Sequence, residues 1–244
     1  MRRDGGGSEK KLEELKGEFL NLAAHELRSP LGIVRGYVSM LREGLVPPDQ
    51  MRRVLTLLAS KTDEMAALID EMLEAARTES AGIEYAMTRL NLVDVVDDAL
   101  TAMEPLLNGP HRLVEQGPRA AIPVRGDRRR LTMVLTNLID NAVKYSPQGG
   151  DIEVGWSVEG RHAVVRVRDE GLGVDEADLG MLFTRFGRIV TPENSHVRGT
   201  GLGLYLARDI TTRHGGDITV ESQEGRGSTF TVSLPLAAGG NGTS

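Results

Sequence analysis

The chain has 244 residues, enough for one large domain or two ordinary ones that each bury a hydrophobic core. Its 29 Lys and Arg residues are intermixed with 35 Asp and Glu residues, and the net charge of −6 disfavours nucleic acid as a partner. The absence of cysteine excludes disulfides, cysteine nucleophiles and thiolate metal sites. No run approaches the roughly eighteen apolar residues of a membrane helix, and the N-terminus lacks a signal-peptide core. We therefore expect a soluble, cytoplasmic protein with no membrane span in this chain.

The N-terminal third of the sequence predicts a helical hairpin. Residues 1–8 include three consecutive glycines, and we interpret them as a disordered lead or linker. A long helix is predicted from about residue 9 until Gly44 ends it, and a second follows because apolar residues alternate at four-three spacing from Met51 to Ala76. The hairpin covers residues 9–80, but two helices cannot cover apolar stripes this wide. We therefore predict that two copies dimerise into a four-helix bundle; the alternative is that the hairpin folds back onto the rest of the chain.

The apolar stripe of the first helix steps sideways between Leu22 and Leu27. His25 lies at this step, nearly opposite the downstream stripe, so its side chain should face water. An imidazole beside a carboxylate can act as a nucleophile while the carboxylate takes its proton, and Glu26 is adjacent. A lone histidine is more often structural, but this position and this neighbour favour a function for His25.

From about Tyr85 the pattern changes to short strands and helices. The predicted segments are, in order, a strand end and helix at 89–107, strands at 111–115 and 121–124, a helix at 127–145, strands at 152–158 and 163–169, a glycine-punctuated region at 171–203, a helix to 214, and strands at 217–222 and 228–234. The fold class is therefore α+β: the hairpin is followed by an α/β sandwich over residues 85–236 with one mixed or antiparallel sheet. Residues 237–244 are predicted to be a disordered tail.

The predicted helix at 127–145 has two different faces. One face is apolar, and the adjoining side carries four polar residues within about 100° of arc: Asn137, Asn141, Lys144 and Tyr145. Asparagine is a poor helix former, so two of them four residues apart suggest a purpose beyond solvation. Amide oxygens can ligate Mg²⁺ or its waters, lysine can meet phosphate, and tyrosine can pack on a base. A plain polar face in water explains this helix equally well when it is taken alone.

The strand at 163–169 ends in a carboxylate on its apolar side. With a period of two, Asp169 falls on the same face as Ala163, Val165 and Val167. A buried carboxylate is costly unless something donates to it, and an adenine amino group would be such a donor. Gly171 and Gly173 would allow a close backbone approach. The alternative is an ordinary Asp at the start of a turn.

The segment Gly199-Thr200-Gly201-Leu202-Gly203 stands directly before a predicted helix. Its alternate glycines expose backbone N–H groups at a helix N-terminus, which is typical of a phosphate site. It is neither a Walker A loop nor a Rossmann fingerprint, because it lacks Gly-Lys-Ser/Thr and no strand leads into it. Residues 187–197 upstream are polar and broken by a proline, which predicts a mobile lid over a ligand.

Taken in order, these motifs resemble those of the two-component sensor histidine kinases. Residues 25–31 read HELRSPL, where the family usually has HELRTPL. The N, G1, F and G2 boxes of the family's ATP-binding domain are similar to NLIDNAVKY at 137–145, DEGLG at 169–173, LFTRF at 182–186 and GTGLGL at 199–204. With GRGSTF at 225–230, the resemblance covers about residues 10–236.

The resemblance implies roles for three hairpin residues. His25 would accept the phosphoryl group and Glu26 would accept the proton of His25. Ser29 stands where the family usually has Thr or Asn, a residue that positions water for dephosphorylating the partner protein. Ser29 also carries a hydroxyl, which leaves a phosphatase activity open.

The resemblance also implies a complete nucleotide site in the second domain. On the asparagine helix, Asn141 would ligate Mg²⁺, Asn137 would support the phosphate and metal region, Lys144 would approach the phosphates and Tyr145 would pack on the adenine. Asp169 would accept from the adenine amino group, and Gly171 and Gly173 would shape that pocket. Arg188 would reach the γ-phosphate, and Gly199, Gly201 and Gly203, with Thr200 and Leu202 between them, would wrap the phosphates.

The function implied is a homodimeric sensor histidine kinase that uses ATP and Mg²⁺ to phosphorylate His25 and passes the phosphoryl group to an aspartate of a response-regulator receiver domain. It would work in the cytoplasm, alone or as the cytoplasmic part of a membrane-bound sensor. One alternative is a nucleotide-sensing dimerisation module without kinase turnover. Another is an ATPase of the related chaperone and topoisomerase superfamily, which lacks the histidine hairpin. A metal hydrolase is disfavoured because the five histidines show no paired ligand spacing.

Overall fold

A computed structural model of the chain describes residue 24 and residues 27–78, 85–107, 109–195, 197 and 199–237. Contacts within the chain divide it into two compact units. The first unit comprises Met1–Glu79 with Arg198–Thr200, and the second comprises Ser80–Val197 with Gly201–Ser244. Among the helices in these described ranges, none combines the length and the hydrophobicity that crossing a membrane requires.

The first unit contains the predicted helical hairpin. Helix α1 is described over residues 27–42, and helix α2 spans Met51–Thr78. Helix α1 ends in a Schellman motif around Gly44, which has a φ of 69°. The Gly44 N–H donates to the Leu41 carbonyl at 3.2 Å, and the Leu45 N–H donates to the Met40 carbonyl at 2.9 Å. The helix therefore ends beside Gly44, as the sequence predicted.

The apolar residues of the hairpin fall into two sets. In α1, Leu27, Val34 and Leu41 are half-buried. Leu31 and Val38, seven residues apart in the same helix, are 45% and 42% exposed, and Leu45, just beyond the end of the helix, is 59% exposed. In α2, Leu55, Ile69 and Leu73 are also exposed, at 54%, 44% and 48%. A seven-residue apolar repeat is typical of helices that pack against a further helix. Among the residues that the structure describes, the chain therefore leaves one apolar stripe of the hairpin uncovered.

The second unit alternates strands and helices in the predicted order. Its elements are β1 (Thr88–Asn91), α3 (Leu92–Met103), a 3₁₀ turn (Glu104–Leu106), β2 (His111–Gln116), β3 (Pro123–Gly126), α4 (Arg128–Lys144), β4 (Gly150–Glu159), β5 (His162–Arg168), a second 3₁₀ turn (Glu176–Met181), α5 (Gly203–Arg213), β6 (Asp217–Gln223) and β7 (Gly227–Pro235).

Five strands form one mixed sheet in the order β2-β4-β5-β7-β6. Strand β2 is parallel to β4, and the other neighbours are antiparallel. Helices α4 and α5 contact the sheet and each other, and α3 packs on α4. The other face of the sheet carries cross-strand ion pairs, such as Arg112–Asp151 at 2.5 Å and Arg168–Glu153 at 3.3 Å. The unit is therefore the predicted two-layer sandwich.

The pairing of β3 differs from the prediction of a single sheet. Strand β3 pairs antiparallel with β1 in a separate ribbon, in which Thr88 lies opposite Gly126. Its other edge meets the C-terminal residues, through an isolated bridge between Val124 and Leu236 and a hydrogen bond from the Ala237 N–H to the Pro123 carbonyl at 2.8 Å. Strand periodicity identifies a strand but not its partner, and β1 at four residues is too short to carry a clear pattern.

Candidate functional site

Helix α4 supplies the polar face of the site. Asp127 caps its N-terminus by accepting from the Arg130 N–H at 3.2 Å. The buried residues of the helix are Leu131, Val134, Leu135, Leu138, Ile139 and Ala142. Asn137 and Asn141 stay half-buried on the adjoining side, as predicted. The Asn137 Nδ2 donates to the Gly203 carbonyl at 3.4 Å, which joins α4 to the first turn of α5.

The end of β5 supplies a buried carboxylate. Asp169 is 4% exposed and lies on the same face as the buried Val165 and Val167, as predicted. Its Oδ1 accepts from the Gly171 N–H at 2.9 Å and from the Ser228 N–H at 3.3 Å. Burial raises the pKa of Asp169, and the two backbone donors oppose that rise. Within the described part of the chain, Oδ2 accepts no hydrogen bond, so a ligand donor can pair with it.

The loop after Asp169 is held against the end of α4. The Leu172 N–H donates to the Tyr145 carbonyl at 2.9 Å, and a Cβ on Gly171 would lie 2.3 Å from that oxygen. Gly173 has a φ of 65°, and a Cβ there would lie 1.9 Å from the Gln223 carbonyl. Only glycine fits both constraints at this position. The close approaches bring Tyr145 and the carboxylate loop of the predicted site together.

The segment before α5 is locked to the chain around residue 186. Gly201 has a φ of 69°, and its carbonyl accepts from the Phe186 N–H at 3.1 Å. Phe186 has a φ of 62° and is the one non-glycine residue of the described ranges with a positive φ. Strained backbone of this kind costs ~1–3 kcal/mol and clusters at functional sites. Leu202 is fully buried and anchors the segment.

The second unit therefore brings together an asparagine-bearing helix, a buried carboxylate and a glycine-rich helix start. Its residues 126–238 match the sequence model of the histidine kinase-, DNA gyrase B- and HSP90-like ATPases. Residues 15–81 match that of the His Kinase A (phospho-acceptor) domain. The second match separates the chain from the chaperone and topoisomerase branch of the superfamily. The chain belongs to the two-component histidine kinase family.

Named relatives agree with this assignment. The sensor histidine kinase WalK of Bacillus subtilis (strain 168) is 31% identical over 93% of this chain and 38% of WalK. The structure of the Acinetobacter baumannii histidine kinase AdeS matches with a TM-score of 0.64 at 27% identity, over 87% of this chain and 98% of AdeS. Full-length ShkA in complex with AMPPNP matches with a TM-score of 0.64 at 25% identity, over 91% of this chain and 46% of ShkA. The chain spans less than two thirds of the curated relatives it matches.

The two cations that the sequence predicted to meet phosphate, Lys144 and Arg188, both contact other groups of the protein. Lys144 pairs with Asp140 at 2.5 Å and is 44% exposed. Such surface pairs contribute little, about 0–1 kcal/mol, so Lys144 could exchange this partner for a phosphate. Arg188 donates from Nη2 to the Val197 carbonyl at 2.7 Å and so braces the segment predicted to be a lid. Within that segment, the Asn194 side chain accepts from the Thr191 N–H at 2.8 Å.

The remaining predicted site residues are placed as follows. His25 and Glu26 lie outside the described residues, and Ser29 is half-buried in the first described turns of α1. Gly199 and Thr200 belong to the segment grouped with the first unit, so the second unit itself carries Gly201, Leu202 and Gly203.

Two features of the site were missed by the sequence analysis. Ser228 donates its backbone N–H to Asp169, and Phe186 has a left-handed backbone beside Gly201. The residue type does not reveal a backbone N–H donor, but the glycine at position 227 indicates a close backbone approach next to Ser228. A Cβ on Gly227 would lie 2.0 Å from the Asp169 carbonyl, so the glycine before Ser228 is what permits this contact.

Proposed function

We propose that the chain is an ATP-dependent protein-histidine kinase that phosphorylates its own His25. The observation that carries this proposal is the buried Asp169, whose Oδ2 accepts nothing in the described part of the chain and lies in a loop held against the asparagine helix. Burying a carboxylate costs free energy of folding, and a ligand that donates a hydrogen bond to it explains why it is kept. The adenine amino group is such a hydrogen-bond donor. The family match at residues 15–81 supplies the phosphoacceptor segment.

ATP would bind across α4, the Asp169 loop and the start of α5. Tyr145 would pack on the adenine, Lys144 and Arg188 would meet phosphate charge, and Gly199 with Gly201 and Gly203 would wrap the phosphates. The AMPPNP bound to ShkA supports an adenine nucleotide as the ligand.

The residues present also fit a magnesium ion. Mg²⁺ is commonly held by one or two protein oxygens together with phosphate oxygens and water. The half-buried Asn141 offers an amide oxygen that is not hydrogen-bonded to any described residue, one turn from Asn137. Among the residues that the structure describes, no cluster of three acidic, histidine or cysteine side chains competes for the ion. Bound Mg²⁺ would offset the negative charge of the phosphates.

The reaction is in-line transfer of the γ-phosphoryl group. A His25 ring nitrogen forms the new N–P bond, the bond from the γ-phosphorus to the bridging oxygen of ADP breaks, and Glu26 accepts the imidazole proton. Phosphoryl transfer depends mainly on positioning and charge stabilisation, so the reaction requires an arrangement of the two units in which His25 meets the γ-phosphate. ATP is a cytoplasmic substrate, and we place the activity there.

Two protein partners complete the proposal. The uncovered stripe with Leu31 and Val38 fits a second copy of the hairpin, which would give a homodimeric four-helix bundle. The phosphoryl group on His25 would pass to an aspartate of a response-regulator receiver domain. The Ser29 hydroxyl, four residues after the histidine, would orient water if the protein also dephosphorylates that partner.

Labelling with γ-labelled ATP and Mg²⁺ tests the proposal. The parent chain and a His25→Gln variant are incubated, and the products are treated with acid and with base. We expect label on the parent that is lost in acid and retained in base, as for phosphohistidine, and none on the variant. ATP binding without any label would contradict the kinase function and favour a nucleotide-sensing module.

A further inference from the structure

Tyr85 is the first residue described after the hairpin, and its ring is enclosed by charged and aromatic groups of the second unit. The His214 ring lies 5.4 Å away between centroids. The guanidinium groups of Arg130 and Arg213 lie over the Tyr85 ring at 5.2 and 5.9 Å. The Tyr85 hydroxyl is buried and has no hydrogen-bond partner in the described part of the chain. The ring rather than the hydroxyl therefore makes the contacts.

The backbone beside Tyr85 is fastened at the same place. The Ala86 N–H donates to Asp127 Oδ2 at 3.0 Å, while Oδ1 of the same carboxylate caps α4 through the Arg130 N–H. The Asp127 N–H donates to His214 Nε2 at 2.9 Å, so the proton of this buried imidazole sits on Nδ1 and is donated to the Ile210 carbonyl at 2.7 Å. The contacts tie residues 85–86 to the start of α4 and the end of α5.

This anchor lies away from the nucleotide-binding end of the same helices. Asn137 is nine residues beyond Arg128 in α4, about 13 Å along the axis, and Gly203 is eleven residues before His214, about 16 Å along α5. A change at Tyr85 therefore does not touch the residues proposed to bind ATP.

The anchor shortens the chain that connects the two units. Helix α2 ends at Thr78, seven Cα steps before Tyr85, so the connection spans at most about 25 Å. Without the anchor, the first fixed point would be Thr88 in β1, ten steps away, and the reach would rise to about 35 Å. The maximum span of a connecting chain sets the effective concentration at which the two groups that it joins meet.

We propose that Tyr85 is a positioning residue for phosphoryl transfer: by fastening the connecting chain to the far ends of α4 and α5, it raises the effective concentration of the ATP-bearing unit at His25. This inference rests on the proposed function. The shorter tether raises the encounter frequency by about two- to threefold, by the scaling of accessible volume with reach.

The test compares four full-length chains in the His25 labelling assay, with kcat and KM for ATP measured separately. Tyr85→Ala removes the ring, and Tyr85→Phe keeps it and is the matched control. A third variant keeps Tyr85 but carries three extra residues, Gly-Ser-Gly, inserted between Gly82 and Ile83. We expect kcat to fall about two- to threefold in the Ala and insertion variants, with KM unchanged, and the Phe variant to match the parent.

The insertion variant keeps the test decisive if Tyr85→Ala folds poorly. An unchanged kcat in the insertion variant would overturn the positioning role, and so would a KM that rises with the loss of kcat in Tyr85→Ala. Hydrogen exchange at the Ala86 amide checks the anchor without any activity: exchange should be slow in the parent and the Phe variant and fast in the Ala variant. Fast exchange in the parent would also overturn the inference.

A parent chain that forms no phosphohistidine would instead refute the proposed function itself.

Discussion

The two units of the chain bury their apolar residues to different degrees. In the second unit, Leu138, Ile152 and Ile210 are completely buried between sheet and helices. Among the hairpin residues that the structure describes, Val46 and Val54 are the hydrophobic residues with less than a tenth of their surface exposed. Leu45, in contrast, is 59% exposed. The second unit supplies its own core, whereas the hairpin sequence encodes more apolar surface than one chain covers.

The difference separates two kinds of functional residue. Asn137, Asn141 and Asp169, which are proposed to bind nucleotide, sit on elements that pack into a closed core, so their geometry is set within one chain. The phosphoacceptor segment belongs to the hairpin, whose apolar stripe is exposed in the single chain. Substitutions in the two units should therefore give different phenotypes, and three substitutions test this difference.

The largest expected effect is the destabilisation of the second unit by Gly173→Ala. The φ of 65° and the contact of 1.9 Å between a Cβ and the Gln223 carbonyl should lower the free energy of unfolding by about 2–4 kcal/mol. Urea unfolding followed by the fluorescence of Trp156, the one tryptophan of the chain, reports on this unit. The control is Gly180→Ala, where a Cβ meets nothing within 4 Å. Equal stabilities of the two variants would contradict the packing described for the Asp169 loop.

A smaller effect is expected when the uncovered stripe is made polar. Val38→Lys should weaken self-association roughly 100-fold, because each of two copies loses about 1.5 kcal/mol of apolar burial. Sedimentation equilibrium measures the dissociation constant, and Trp156 unfolding should stay unchanged. Arg35→Lys, on an exposed position of the same helix, is the control. An unaltered dissociation constant for Val38→Lys would mean that the stripe is not the dimer surface.

The smallest effect concerns the pH dependence of the second unit. Burial lowers the pKa of His214 below its ordinary value of 6.5, with Arg130 acting in the same direction and Asp127 opposing it. The unfolded chain then binds the proton more readily, so stability is full above pH 6.5 and falls as the pH drops through 6.5 toward the lowered pKa, by at most about 1.4 kcal/mol per pH unit. His214→Gln should flatten this dependence between pH 6.5 and 5. An unchanged slope in that variant would assign the dependence to other groups.

Periodicity predicted much of this fold correctly. Spacings of three to four residues predicted the two faces of α4, and a spacing of two predicted the inward side of Asp169. The glycine at position 44 predicted the end of α1. All three depend only on local geometry. The pairing of β3 with β1 and the backbone of Phe186 did not follow, because both depend on contacts between residues far apart in sequence. The Ser228 donor was missed for a related reason, since any residue other than proline offers the same N–H.

One unit is proposed to bind ATP and the other to accept its phosphoryl group, and a pair of variants separates these two roles. ATP affinity and labelling are measured side by side for Asp169→Asn and His25→Gln. Asp169→Asn should bind ATP about 10- to 100-fold more weakly and carry little label, because the amide presents a donor to the adenine amino group. Its apo stability should not fall, since the raised pKa of Asp169 shows that the buried charge costs stability above the ordinary pKa of 3.8.

His25→Gln should bind ATP as the parent does and carry no label. Normal binding with no label in His25→Gln, together with weak binding in Asp169→Asn, is the result that this division of roles predicts. Label on His25→Gln, or parent-like binding by Asp169→Asn, would contradict it.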